Sequence, residues 1–111
     1  MQYKLRETKE AVEDVAGMAE YIVRRFANLD AALSFLNQYD KEVQRLMNFP
    51  FGYRGISFEY RGYEIRIKSF DTYNIFFTVD IEERRVYVLR VLKDRQDWKT
   101  ILGRQSEYHF D

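Results

Sequence analysis

Tyr73-Asn-Ile-Phe-Phe-Thr-Val-Asp80, Ile81-Glu-Glu-Arg-Arg85 and Val86-Tyr-Val-Leu-Arg-Val-Leu-Lys93 run without a break into Asp94-Arg-Gln-Asp-Trp98. In the first segment Ile75, Phe77, Val79 and Ile81 alternate with Asn74, Phe76, Thr78 and Asp80. In the third, Val86, Val88, Arg90 and Leu92 alternate with Tyr87, Leu89, Val91 and Lys93. A period of two marks strands. Both faces of both strands are largely apolar, which predicts central strands covered on two sides. The charged connection between them lacks glycine, so a loop longer than a tight two-residue turn is expected. The second strand then enters a basic and aromatic cluster.

Upstream, Tyr63, Ile65 and Ile67 alternate with Glu64, Arg66 and Lys68 and predict a third strand. Phe49 to Gly62 carries three glycines and the single proline, and is expected to be irregular. Its aromatics, Phe49, Phe51, Tyr53, Phe58 and Tyr60, are expected to plug the end of the core or cover a sheet edge. Before Pro50 the period becomes helical. Ala11, Val12, Val15, Met18, Ala19, Ile22, Val23 and Phe26 fall on one face of a first helix. Its acidic residues come early and Arg24 and Arg25 come late, as the helix dipole favours. Asn28-Leu-Asp30 breaks the helix and offers cap oxygens. A second helix follows, with Ala32, Phe35, Leu36, Tyr39, Val43, Leu46 and Met47 on its buried side. Tyr21, Tyr39, Tyr73 and Tyr87 read as core. Tyr3, Leu5 and Glu7 alternate with Lys4 and Arg6, a short first strand of mixed polarity suited to a sheet edge. After Trp98 a short helix is expected over 96–102, closed by Gly103, with Asp94 or Asp97 as its cap.

The order is β-α-α-β-β-β-α. A helical hairpin must bury its apolar stripe, and one face of the sheet is available to it. The expected fold class is α+β, a two-layer sandwich of hairpin and N-terminal strand on a small, twisted, mainly antiparallel sheet. The expected organisation is a single domain over 1–104 and a tail over 105–111, mobile or docked.

Composition narrows the function. The chain has 111 residues and 46% apolar types, enough for one core. It has no cysteine, so neither a disulfide framework nor a thiolate metal site is expected. One histidine, His109, makes neither a histidine metal site nor a conventional Ser/His/Asp triad. Neither a metal nor a cofactor is expected. There is no apolar run of the ~20 residues that a membrane span needs. The opening Met-Gln-Tyr-Lys-Leu-Arg-Glu has no apolar core of a secretory signal, so a cytoplasmic protein without a membrane partner is expected. Formal net charge is zero, which argues against general nucleic-acid binding. Residues 61–104 nevertheless hold ten Lys/Arg against seven Asp/Glu, so the sheet half carries either a basic face or a mixed one.

The chain resembles the RelE/ParE superfamily of bacterial toxins from type II toxin–antitoxin pairs. The resemblance rests on Ala-Val-Glu-Asp-Val-Ala-Gly-Met-Ala-Glu-Tyr-Ile (11–22), the Ala-Ala pair (31–32), Tyr73-Asn-Ile-Phe-Phe and, most specifically, Leu89-Arg-Val-Leu-Lys-Asp-Arg-Gln-Asp-Trp98. It spans nearly the whole chain and implies the same β-α-α-β-β-β-α fold. In ribonuclease members of that superfamily, basic residues on the sheet's concave face neutralise the scissile phosphate. Another side chain assists proton transfer as the 2′-hydroxyl attacks. The pattern expects basic-x-basic after Tyr63; this chain has Glu64, Ile65 and Arg66. It expects Arg after Tyr73 and has Asn74. Lys93 and Arg95 stand where the last strand's basic residue belongs. Trp98 occupies the region of the late catalytic Tyr or His, and Tyr108 and His109 come later. The ending Arg95-Gln-Asp-Trp98 resembles the ParE-like branch, where gyrase is the target class and no catalytic set is expected.

The candidate site residues are Arg66, Lys68, Arg90, Lys93, Arg95 and Trp98. Arg66, Lys93 and Arg95 would be catalytic in a ribonuclease; all six are candidates for target or antitoxin binding. Arg66 and Lys68 share a face with Glu64. They contact phosphate or an acidic antitoxin segment, or form a ladder of surface charge pairs worth roughly 0.2–1 kcal/mol each. Glu64 is a general base if it faces Arg66 in a cleft, and otherwise solvated. Arg90, on the face of Val86, Val88 and Leu92, needs a partner; Asp80 and Glu64 are the structural candidates. Lys93 and Arg95 project from a strand end on a rigid scaffold. Trp98 reads as a lid on the core. Three functions follow from the resemblance. The first is a plasmid-stabilisation-like toxin that binds DNA gyrase and is neutralised by a small acidic antitoxin. The second is a ribosome-dependent mRNA endoribonuclease. The third is a non-toxic homologue that only binds an antitoxin.

Overall fold

The computed structural model describes residues 2–111; Met1, which opens the segment read above for a signal, lies outside them. The elements are β1 (Lys4–Glu7), α1 (Lys9–Phe26), α2 (Leu29–Asn48), β2 (Gly55–Tyr60), β3 (Tyr63–Phe70), β4 (Tyr73–Asp80), β5 (Arg85–Lys93) and α3 (Trp98–Arg104). The sheet order is β1-β5-β4-β3-β2. β1 runs parallel to β5 and every other pair is antiparallel. The α+β class and the hairpin on the sheet are as expected. β4 and β5 are central, and both are nearly buried throughout.

The α1–α2 hairpin packs on one face of the sheet. Ala11, Val15, Met18, Phe35, Tyr39, Val43 and Leu46 meet Ile75, Phe77, Val79, Val86, Val88 and Val91 there. On the opposite face Ile56, Ile65, Ile67, Phe76, Leu89 and Leu92 are covered by Leu102 and Tyr108, with Trp98 and Phe58 packed against them. The charged β4–β5 connection spans four residues, 81–84, as the missing glycine implied.

Thr8 joins the layers. It caps α1 by accepting from the Ala11 N–H at 2.9 Å. Its hydroxyl also donates to the Leu89 carbonyl at 2.7 Å, where β1 has ended and the edge of β5 would otherwise be bare. Asn28 caps α2 through the Ala31 N–H, the role its position suggested.

Four expectations need correction. Residues 55–60 form a strand, not a loop: Ile56, Phe58 and Tyr60 alternate with Ser57 and Glu59 and pack into the second core. Gly55 opens that strand, and a Cβ there would meet the Glu64 carboxylate, the movable end of an exposed side chain. The last helix starts at Trp98 behind its cap Asp97, contains Gly103, and ends at Arg104. The apolar stripe on α1 is wider than the face the sheet covers, so Val12, Val23 and Phe26 stay exposed, as does Tyr21. Finally, β5 does not alternate to its end. Phe76 faces Arg90 and Phe77 faces Val88, so Leu89 is an extra residue in a bulge. The bulge moves Arg90 to the face of Phe76, away from that of Val86 and Val88.

Candidate functional site

The six candidate side chains do not converge. Arg66 and Lys68 lie on the hairpin side of β3, opposite Phe77 and Ile75. Arg66 donates to the Tyr53 carbonyl at 2.9 Å. Lys68 is 8% exposed, sits 2.8 Å from Glu42 Oε2 and donates to the Tyr53 hydroxyl at 3.1 Å. Glu42, itself buried, also accepts from Gln38 and Arg45 at 2.9 Å each. Burial pulls the Lys68 ammonium's pKa down. Its hydrogen bonds to Glu42 and Tyr53 outweigh this and hold it above the ordinary lysine value. Lys68 is thus an internal tie between sheet and hairpin, not a surface ladder cation, and it pairs with a residue the sequence reading did not single out.

Arg90 takes neither Asp80 nor Glu64. It forms a fork with Asp14 on α1, Nε to Oδ2 at 2.7 Å and Nη2 to Oδ1 at 2.9 Å, and reaches Gln105 at 2.8 Å. Asp14 also accepts the Val91 N–H at 3.0 Å and so completes the strand edge beyond Thr8. The hydrogen bonds that Arg90 donates to Asp14 hold its pKa above the ordinary value.

Lys93 stands over Tyr21 at 4.6 Å and Tyr73 at 5.9 Å on the hairpin side. Arg95 is exposed in the turn after β5. Trp98 lies on the opposite face, against Phe76 at 5.5 Å and Phe58 at 6.4 Å, the lid expected of it. Glu64 is exposed. Asn74 is a buried structural link, accepting from Ser69 at 2.6 Å and donating to Asp94 at 2.9 Å.

What the structure does present as a continuous surface is apolar. Around the α1–α2 connection Val23, Phe26, Leu29 and Leu33 are exposed, Phe26 by 63% and Leu29 by 62%. Beside them Ala19, Val23, Leu29, Ala32, Leu33 and Leu36 line a groove of about 390 Å³ along the outside of the hairpin. A second hollow of about 550 Å³ opens between the hairpin tip and the β3–β4 turn, walled by Ile22, Phe26, Phe35, Phe70 and Tyr73. Exposed apolar residues that line one groove, with Glu20 and Arg24 among them, have the make-up of a protein-docking surface. Sequence reasoning assigned Val23 and Phe26 to the core. The available signal was the stripe's width: eight apolar positions on one 18-residue helix exceed what a small sheet can cover.

The family model described as the ParE toxin of the type II toxin–antitoxin system, parDE, matches residues 5–98. No curated protein matches the chain in sequence. Among solved structures, a chain of the chromosomal ParDE system from P. aeruginosa is 18% identical. The match covers 83% of this chain and 96% of that one, with a TM-score of 0.66. The free E. coli toxin RelE, solved as a double mutant, is 16% identical over 92% of this chain and 94% of its own, with a TM-score of 0.58. A chain of the RelBE2 toxin–antitoxin complex from Mycobacterium tuberculosis is 22% identical over 84% and 99%, with a TM-score of 0.51. At these identities the likeness is one of fold.

Proposed function

This chain belongs to the ParE toxin family of type II toxin–antitoxin systems, and from that premise we propose that it arrests growth by binding a protein target, DNA gyrase, and is neutralised by a small acidic antitoxin. The observation that carries the choice against RNA cleavage is the fate of the cations. Lys68 and Arg90 are paired with Glu42 and Asp14, and Arg66 is turned toward Tyr53, donating one N–H to its main-chain carbonyl. Lys93 sits over Tyr21 on one face and Arg95 is alone in a turn. Phosphoryl chemistry needs several charges aimed at one phosphate; Arg66 and Lys68 are neighbours turned inward on Tyr53, and Arg90, Lys93 and Arg95 point elsewhere. The exposed hairpin groove supports the antitoxin half of the reading, since an antitoxin segment that orders on binding needs apolar surface to offset its lost entropy.

Inducible expression in a bacterial host, with DNA synthesis and translation followed separately, tests it. The expected result is early loss of DNA synthesis with an SOS response, and inhibition of purified gyrase by the purified protein. Early translation arrest with mRNA cleavage, lost in Arg66→Ala or Arg95→Ala, would replace the reading with a ribonuclease. Soluble, folded protein without effect on growth, in a host lacking an antitoxin, would leave only antitoxin binding.

A further inference from the structure

The sheet face opposite the hairpin is covered only in part. α3 and Tyr108 close its middle, while the end nearest the β4–β5 connection remains open as a cleft of about 290 Å³. Its walls are Arg6, Arg61, Thr78 and Asp80, with the rings of Tyr60, Tyr63, Tyr87 and Phe110. Two features set it apart from a chance hollow. The aromatic rings come from four segments, with Phe110 edge-on to Tyr87 at 5.6 Å. Each rim cation is also held over a ring, Arg6 over Phe110 at 4.6 Å and Arg61 over Tyr60 at 5.2 Å. Arg6 uses one N–H on the Asp111 carbonyl, at 3.4 Å. Arg61 has neither a hydrogen bond nor an ion pair among the described residues. Both guanidinium groups therefore keep donors for an incoming anion while their stacking limits their motion. The acid in the cleft, Asp80, accepts from the Glu83 N–H at 3.0 Å, which turns one of its oxygens toward the β4–β5 connection.

We propose that this cleft binds a planar aromatic anion of the size of one nucleoside monophosphate, its ring against Tyr63, Tyr87 and Phe110 and its phosphate between Arg6 and Arg61. The volume is at the small end of ligand cavities, which suits one base and not a stacked pair. Aromatic faces take any base by stacking, and the two arginines take the phosphate by paired hydrogen bonds. The nucleotide is either free or one residue of a single strand. One wall belongs to the tail, because Phe110 is fixed by Arg6 and the Asp111 side chain lies 3.6 Å from Lys9. The site is therefore complete only with the tail docked. It is independent of the gyrase reading and on the face away from the hairpin groove.

The test is a titration of the full chain by amide NMR with guanosine monophosphate, ribose phosphate and a short single-stranded RNA. Guanosine monophosphate is expected to give saturable shifts at Arg6, Arg61, Thr78 and Phe110, with ribose phosphate weaker by about tenfold or more for want of stacking. Arg61→Asn, which keeps the positive-φ turn of Arg61 and Gly62 but removes the charge, is expected to abolish saturation, and Phe110→Ala to weaken it. RNA binding tighter than the mononucleotide with the same shifts assigns a residue of a strand; equal or weaker binding assigns the free nucleotide. Absence of saturable shifts with both nucleotide and RNA up to millimolar concentration would overturn the proposal. So would binding unchanged in Arg61→Asn, or equal binding of ribose phosphate.

Discussion

Among single residues, Asp14 does the most. It satisfies the Arg90 guanidinium at two oxygens and the Val91 N–H besides, with both charged side chains less than a fifth exposed. Removing one partner of a buried pair leaves the other charge without compensation, which costs more than the pair contributes. Asp14→Ala is expected to lower stability by about 3 kcal/mol, read as a lower urea midpoint at unchanged slope. Lys68 and Glu42 allow the complementary test. Glu42→Ala strands a buried ammonium and should be strongly destabilising. The double change Lys68→Met with Glu42→Leu replaces both charges by apolar groups of similar bulk and should return to within about 1 kcal/mol of the parent. A double variant as unstable as Glu42→Ala alone would show that the network around Gln38, Arg45 and Tyr53 depends on the charges themselves.

At the scale of elements, the junction of β1 and α1 is the most exacting. Thr8 is completely buried, caps α1 and donates to the bare edge of β5. Thr8→Ala loses the cap and leaves the Leu89 carbonyl unpaired, and should cost about 2 kcal/mol in chemical denaturation. Thr8→Ser should retain most of it. The tail is held at the other end of the same helix turn. Glu10 accepts from the His109 N–H and meets its imidazole, each at 2.8 Å, and Lys9 N–H donates to the His109 carbonyl at 2.7 Å. Burial pushes the Glu10 carboxyl's pKa up, but the two His109 contacts outweigh this and leave it below its ordinary value of 4.5. A depressed carboxyl favours the docked tail at any pH above that ordinary value, and the contribution disappears as pH falls through the lower, folded value. Hydrogen exchange should therefore find the His109 amide protected near neutrality and unprotected at strongly acidic pH. In Glu10→Gln the pH dependence of that protection should be flattened.

Over the whole molecule, the two faces of the sheet have different fates. One is sealed by the hairpin, which in turn shows its own apolar tip to solvent. The other is sealed by α3 and the tail except at its open end. Exposed apolar residues contribute little to the fold, so Phe26→Asp and Leu29→Asp should leave the unfolding midpoint within about 0.5 kcal/mol of the parent. In co-expression with the cognate antitoxin they are expected to weaken rescue of growth by tenfold or more, because a charge placed in an apolar docking groove is buried without a partner. Rescue as efficient as the parent's would move the antitoxin elsewhere on the molecule.

The sequence by itself determined the helical hairpin, the centrality of β4 and β5 and the helix cap offered by Asn28; for the last helix it left Asp94 and Asp97 both open, and Asp97 is the cap. These depend on period, on runs that are apolar on both faces, and on short-range hydrogen bonds. The strand Gly55–Tyr60 was within reach through the alternation of Ile56, Phe58 and Tyr60, but glycine and proline, which signal turns locally, masked it. Only the tertiary structure decided which cations are free. Asp14 is 76 positions from Arg90, and Glu42 lies on a helix facing Lys68 on a strand; no local pattern pairs such residues. The bulge at Leu89 carries Arg90 to the opposite face, against the alternation on which strand reading depends. The exposure of Val23, Phe26 and Leu29 is likewise a matter of how much sheet exists to cover a helix, and that area is fixed only when the strands have assembled.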